Sequence, residues 1–152
     1  MDLVNKFMKE AIKEAKKAEL IDEVPIGCVI VKDGKIVSRG HNVRETKQSP
    51  IGHAEIVAIN KASKKLNSWR LEDCDIYITL EPCIMCSGAI IQSRIRHIYF
   101  GAFDPKGGAL GSSIDVLKVN NINHHPEVTS SVLQEECAAL LTNYFKNKRK
   151  QK

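Results

Sequence analysis

Residues 75–100 read DIYITLEPCIMCSGAIIQSRIRHIYF, and this stretch decides the fold. Asp75–Leu80 has the β-branched and aromatic content of a strand. Pro82 then opens a helix over Cys83–Ser93, because its fixed φ suits a first helical turn. Ile95–Phe100 returns to strand composition. Upstream, Ala54, Val57, Ala58, Ala62 and Leu66 recur at helical steps over residues 53–67. Before them Cys28–Val31 and Lys35–Ser38 flank Asp33-Gly34, a dipeptide that favours a tight hairpin turn. The chain starts with an amphipathic helix, carrying Val4, Phe7, Met8, Ala11, Ile12 and Ala15, that ends near Leu20. Downstream, Gly101–Gly111 is a glycine-rich loop and residues 112–130 show no clear periodicity. Val132, Leu133, Cys137, Leu140, Leu141, Tyr144 and Phe145 mark a last helix. Strands alternating with helices imply an α/β fold, and the early hairpin makes its sheet mixed. The expected architecture is a three-layer α/β/α sandwich.

At 152 residues the chain fits a single domain over 1–152. Its composition, 43% hydrophobic and 27% charged, is that of a soluble globular protein. The longest apolar stretch, Ile26–Val31, is too short to cross a bilayer, and the N-terminus lacks an export signal's apolar core. No membrane partner and a cytoplasmic location are expected. Five cysteines, an odd number, cannot form a complete disulfide framework. Cys28, Cys74 and Cys137 stand singly in apolar surroundings and read as core residues. The net charge of +5 is concentrated at one end, since the segment 146–152 holds Lys146, Lys148, Arg149, Lys150 and Lys152 and no acid. Such a tail suits either phosphate contact or a solvated helix end.

The chemistry gathers in His53-Ala54-Glu55 and Pro82-Cys83-Ile84-Met85-Cys86. Cysteines at i and i+3 share a helix face, so both sulfurs can hold one ion. With His53 they make a sulfur and imidazole donor set suited to Zn²⁺. No further Cys or His shows comparable spacing, and three protein ligands leave a position open for water, the mark of a catalytic site. His53 and Glu55, two residues apart, can converge only beyond the N-terminus of their helix. Zn²⁺ with two thiolates is nominally neutral, so a neighbouring carboxylate acting as base adds what the ion lacks. A closed structural zinc would need a fourth ligand, and a redox CxxC would leave His53 and Glu55 idle.

H-x-E paired with P-C-x-x-C is the known signature of zinc deaminases. The chain also carries Glu23-Val24-Pro25-Ile26-Gly27, His41-Asn42-Val43-Arg44-Glu45, Trp69-Arg70-Leu71-Glu72, Thr79-Leu80-Glu81, Asp104-Pro105-Lys106-Gly107-Gly108 and Tyr144-Phe145-Lys146-Asn147. With these segments it resembles the bacterial tRNA-specific adenosine deaminases, of the cytidine deaminase-like superfamily, over nearly its full length. Cys28, Gly52 and Ser87 depart from the small residues, often Ala, that the family carries there, and touch packing more than chemistry. The resemblance implies hydrolytic deamination of the wobble adenosine of a tRNA anticodon to inosine, with ammonia released. It implies one Zn²⁺ per chain on His53, Cys83 and Cys86, with Glu55 moving the protons. It also implies an anticodon stem-loop as partner and a homodimer. Among substrate-binding residues it points to Asn42, to a wall of Val24, Pro25, Ile26 and Gly27, and to Ala54 beside the metal ligands. Gly27 is expected to admit the base closely. Asp104 and Lys106 fall in the anticodon-contacting loop, and Phe145 is placed to stack on a splayed base. His97 and His124-His125 read as structural, and Trp69 as a packing anchor.

Overall fold

The computed structural model describes residues 2–150, so Gln151 and Lys152 of the basic tail lie outside the described residues. The elements are α1 (Leu3–Leu20), β1 (Gly27–Lys32), β2 (Lys35–His41), α2 (Ala54–Leu66), β3 (Cys74–Leu80), α3 (Ile84–Gln92), β4 (His97–Ala102), a 3₁₀ turn (Val116–Lys118), β5 (Glu127–Thr129) and α4 (Gln134–Lys150). One sheet runs in the order β2-β1-β3-β4-β5. Its pairings are antiparallel at β2–β1 and β1–β3 and parallel at β3–β4 and β4–β5.

Alternation along the strands divides the core into two layers. Cys28 and Ile30 face α2 and α3, where Ala58, Ala62 and Ile90 cover them. Val29 and Val31 face α1 and α4, where Phe7, Met8 and Cys137 cover them. The mixed-sheet sandwich expected from the sequence is the fold observed. The hairpin turns through Asp33 (φ 51°) and Gly34 (φ 74°), the two left-handed residues that a type I′ turn demands.

Three expectations change. β4 begins at His97 and not at Ile95, which is buried in the turn after α3. The unreadable stretch 112–130 contains β5, an edge strand whose residues are mostly exposed and so carry no apolar alternation. Trp69 is 57% exposed and anchors no core. Its ring is flanked by the guanidinium groups of Arg70 at 4.9 Å and Arg94 at 5.7 Å, which cover it in place of apolar side chains. His97 and His124 do serve structure: Nε2 of His97 lies 2.7 Å from the Thr129 hydroxyl, and Nε2 of His124 lies 2.6 Å from the Ile95 carbonyl.

The topology explains where the chemistry sits. β2 and β3 both run antiparallel to β1, so they point the same way. Their carboxyl ends lie at one end of the sheet, and the helices that follow them, α2 and α3, begin there. Ligand sites of open α/β sheets form at that end.

The loop after β2 is fastened to the segment before β1 by a buried carboxylate. Glu23, 1% exposed, accepts hydrogen bonds from the backbone N–H groups of Glu45 at 3.1 Å and Thr46 at 2.6 Å. Burial alone would raise its pKa, but the hydrogen bonds from Thr46 and Glu45 outweigh burial and hold it below the ordinary 4.5. Glu23→Gln should therefore destabilise the fold by about 1–3 kcal/mol at neutral pH, because an amide cannot accept from both N–H groups. A depressed folded-state pKa stabilises fully above 4.5 and loses its effect as pH falls through the lower folded value. Denaturant unfolding of both proteins should thus show a gap that closes in acid; a gap independent of pH would assign the loss to packing.

Candidate active site and metal centre

His53 and Cys83 occupy the N-cap positions of α2 and α3, with extended backbones (φ −85°, ψ 152° and φ −74°, ψ 178°) and no side-chain capping bond. A Ser or Asp there would turn its oxygen back onto the helix N–H groups. Histidine and cysteine leave their side chains free to project beyond the helix ends. Cys86, one turn into α3, reaches the same point. Nδ1 of His53 lies 3.7 Å from Sγ of Cys83 and 3.4 Å from Sγ of Cys86, and the three ligand atoms fall within 4.8 Å of one another. Among the described residues this is the one grouping of His, Cys, Asp and Glu that could hold a metal ion.

The electrostatics of the cluster test whether an ion belongs there. The Cys83 thiol is pulled down to about 4, chiefly by its hydrogen bond with Cys86 and further by His53, against the effect of burial. Cys86 is pushed up by that same bond and by burial. His53 is raised, first by its hydrogen bond with Cys83. Glu55, 4% exposed, is pushed up to about 7, mainly by burial and also by the Cys83 charge. Two thiols and a carboxyl in one buried spot cannot all ionise without a cation between them. Two sulfurs and an imidazole are soft donors, and the set fits zinc. Glu55 stands outside the three-atom group although it adjoins Cys86.

Above the cluster opens a cavity of about 410 Å³. His53, Ala54 and Leu80 line it; Val24, Ile26 and Asn42 form one wall, Phe103 and Asp104 another, and Leu141 and Phe145 the rim. Ile26, Asn42, Ala54, Asp104 and Phe145, all singled out in the sequence, therefore line one cavity. Pro25, Gly27 and Lys106 do not line the cavity. An extended segment alternates sides, so with Val24 and Ile26 turned inward, Pro25 and Gly27 face away. Gly27 is glycine for another reason: a Cβ there would lie 2.0 Å from the Ala11 carbonyl oxygen and 2.3 Å from the Ala15 nitrogen of α1. Lys106 is exposed; its N–H and that of Gly107 donate to Oδ1 of Asp104 at 3.2 Å and 3.1 Å, and this turn directs its side chain to solvent. Phe145 is 45% exposed while its neighbour Tyr144 takes the buried side of α4.

Asn42 is buried with both ends of its amide engaged. Nδ2 donates to the Val24 carbonyl at 3.3 Å, and Oδ1 accepts from the Arg44 N–H at 3.2 Å. One N–H and one lone pair remain for a ligand. Reasoning from sequence missed the roles of Glu81, Phe103 and Leu141. Glu81 is 2% exposed and accepts from the N–H groups of Asp104 at 3.1 Å, Leu110 at 3.0 Å and Ser112 at 3.2 Å, and from the Ser112 hydroxyl. It holds the whole 104–112 loop over the site. A Cβ at Gly108 would lie 2.3 Å from the Glu81 carboxyl carbon, so glycine is required beside it. The readable signal was an acid preceding the Pro82-Cys83 turn, opposite a loop rich in backbone donors.

The chain is similar to known deaminases. Residues 3–149 match the MafB19-like deaminase family. The tRNA-specific adenosine deaminase of Bacillus subtilis (strain 168) is 53% identical over 146 residues, covering 96% of this chain and 91% of that protein. The enzyme of the same name from Streptococcus pyogenes serotype M1 is 45% identical, covering 96% and 85%. A solved structure from a study of A-to-I editing by tRNA:A34 deaminases at the wobble position superposes with a TM-score of 0.87 at 43% identity, covering 90% of this chain and 99% of its own.

The donor set yields a direct expectation. The purified protein should contain about one zinc per chain by elemental analysis, and Cys86→Ser should lose most of it. Stoichiometric zinc retained in that variant would remove Cys86 from the ligand set.

Proposed function

The chain belongs to the MafB19-like deaminase family and to the tRNA-specific adenosine deaminases, and we propose that it converts the wobble adenosine of a tRNA anticodon to inosine. The observation that carries this reading is a buried carboxyl, Glu55, beside three metal-binding side chains but outside their group, and next in the chain to His53 and Ala54, which line a nucleoside-sized cavity. His53, Cys83 and Cys86 would hold the ion. When bound, zinc supplies Lewis-acid activation of water at neutral pH.

The remaining steps fall to the chain's own groups. Glu55 takes a proton from the attacking water and passes it to ring nitrogen 1, while the water oxygen adds to carbon 6 of the purine. Glu55 next moves the second proton to the exocyclic amine. The C6–N6 bond breaks, ammonia leaves, and inosine remains. A carboxyl whose surroundings lift it towards neutral pH suits a group that must both take and give a proton. Asn42 offers its free N–H and lone pair to the nucleoside, and Val24, Ile26 and Leu80 exclude water around it. Phe145 stacks on a neighbouring base, and Lys146, Arg149 and Lys150, all exposed, meet phosphates. The homodimer, the single-domain organisation over 1–152 and the cytoplasmic location belong to the same proposal. Among the described residues no helix is long and apolar enough to cross a membrane.

The competing reading is a deaminase of a free base, using the same centre. The aromatic rim and the basic helix end favour RNA. Incubation with an anticodon stem-loop, and separately with guanine, cytosine and adenosine, decides between them: inosine should form in the RNA, and turnover of a free base alone would defeat the proposal. Glu55→Ala should lower kcat by about 10²- to 10⁴-fold, as loss of an acid–base group does, while zinc content and RNA affinity stay near wild type. Undiminished turnover would deny Glu55 the proton transfers. Replacing Lys146, Arg149 and Lys150 together by Gln should reduce the slope of log affinity against log salt by about 2, if each meets one phosphate of a single strand. An unaltered slope would make the tail solvated charge.

A further inference from the structure

Asp22 follows the end of α1 in the left-handed region, at φ 59°, with its N–H bonded to the Glu19 carbonyl at 3.0 Å. Glycine is the residue that suits such a position, and a side chain there strains the backbone. What the aspartate adds is contact with the far end of the chain. Its carboxylate accepts from Nζ of Lys148 at 2.6 Å. The Tyr144 hydroxyl is shared between that carboxylate and the Asp22 carbonyl, each at 3.3 Å. Nζ of Lys148 also lies 5.8 Å from the centre of the Tyr144 ring. An exposed ion pair of this kind contributes little to stability, so holding the fold together does not account for it.

The contacts join two sides of the cavity. Val24 and Ile26 stand in the short segment that follows Asp22, and Leu141 and Phe145 stand on the helix that Tyr144 and Lys148 belong to. A groove of about 680 Å³ continues from Asn42 and Arg44 past Phe145 to Asp22 and Lys148. Consecutive helical residues point about 100° apart, so the rotation of α4 that seats the Tyr144 hydroxyl on Asp22 also fixes the direction of Phe145. The two rings sit 5.4 Å apart at 75°. We propose that Asp22 is a positioning residue, which through Tyr144 and Lys148 holds α4 in the rotation that presents Phe145 to the nucleotide beside the target base. This inference rests on the RNA substrate proposed above.

The test is steady-state deamination of an anticodon stem-loop by the wild-type protein, Asp22→Gly, Phe145→Ala and the double variant. Asp22→Gly relieves the backbone strain while removing the carboxylate. It should unfold no more easily than wild type, keep its zinc and keep kcat within about 2-fold. Its KM should rise about 5- to 10-fold, a part of what stacking one base on an aromatic ring contributes. Phe145→Ala should raise KM at least as much, and the double variant no further, because Asp22 acts through that ring. Asp22→Asn, which tolerates the left-handed backbone and keeps an acceptor, should fall between wild type and Asp22→Gly. An unchanged KM for Asp22→Gly, or effects that multiply in the double variant, would overturn the positioning role alone. Wild-type protein inactive on the RNA would overturn the functional reading and this inference with it.

Discussion

An α-helix leaves its first N–H groups without intrahelical partners, so a side chain at its cap stands in a positive field. In this molecule two such ends meet, because β2 and β3 run in the same direction and each hands the chain to a helix at the same end of the sheet. His53 and Cys83 take the cap positions, and Cys86 rises one turn behind Cys83. The field favours thiolate, which is the protonation state a metal needs. Any insertion that turned one of these helices away from the other would separate the imidazole from the sulfurs. The cavity, the loops around it and the choice of substrate all presuppose that meeting.

Three buried glutamates stand in segments that border the cavity, and their surroundings give them different work. Glu23 is buried, yet it accepts two backbone N–H bonds, and its pKa stays below the ordinary value. Glu81 is buried against three backbone donors and a hydroxyl. Both carboxylates hold loops, the first the 42–46 segment and the second 104–112. Glu55 meets a thiol and negative charge, and burial drives it up to about 7. A proton carrier must be able to exist in both states at working pH, and Glu55, lifted where Glu23 is lowered, is moved that way.

The fold was legible where side chains follow a period. The Asp33-Gly34 turn, the apolar stripe of α1 and the strand–helix–strand run at 75–100 carried enough pattern to predict the sandwich. β5 was not legible, since an edge strand with exposed residues leaves no alternation to read. Trp69 misled because composition marks tryptophan as core, whereas two arginines cover its ring at the surface. At the site, His53, Cys83 and Cys86 stood out by spacing, and the structure brings them together. Pro25, Gly27 and Lys106 were assigned by their segments, and segment membership does not tell which way a side chain points. Alternation in the extended 24–27 stretch sends every second residue away from the cavity, and the close approach of α1 explains Gly27. Leu141 belongs to a contact between distant segments, which no local pattern encodes, and Glu81 left only the hint of an acid before Pro82-Cys83.

Departures from local rules occur at both ends of the sheet, since Arg94 is left-handed (φ 64°) in the turn after α3, but those that bear on the site lie at the cavity end. At the end of the sheet remote from the cavity, α2 closes on Asn67 in the left-handed conformation (φ 50°), a residue that accepts it readily. The hairpin there turns through the residues its geometry prefers. At the cavity end, α2 and α3 begin without side-chain caps, each omission costing about 1 kcal/mol relative to a Ser or Asp cap. Asp22 occupies a left-handed position that glycine would fill with less strain. Mutual repulsion among Cys83, Cys86 and Glu55 adds to this. A cation held at the two uncapped ends would offset both costs at once, since it would give the cap side chains a partner and neutralise the buried charge. The uncapped helix starts and the strained Asp22 thus gather around the cavity, while α1 and α4 pack on the face opposite α2 and α3 through Phe7, Met8 and Cys137.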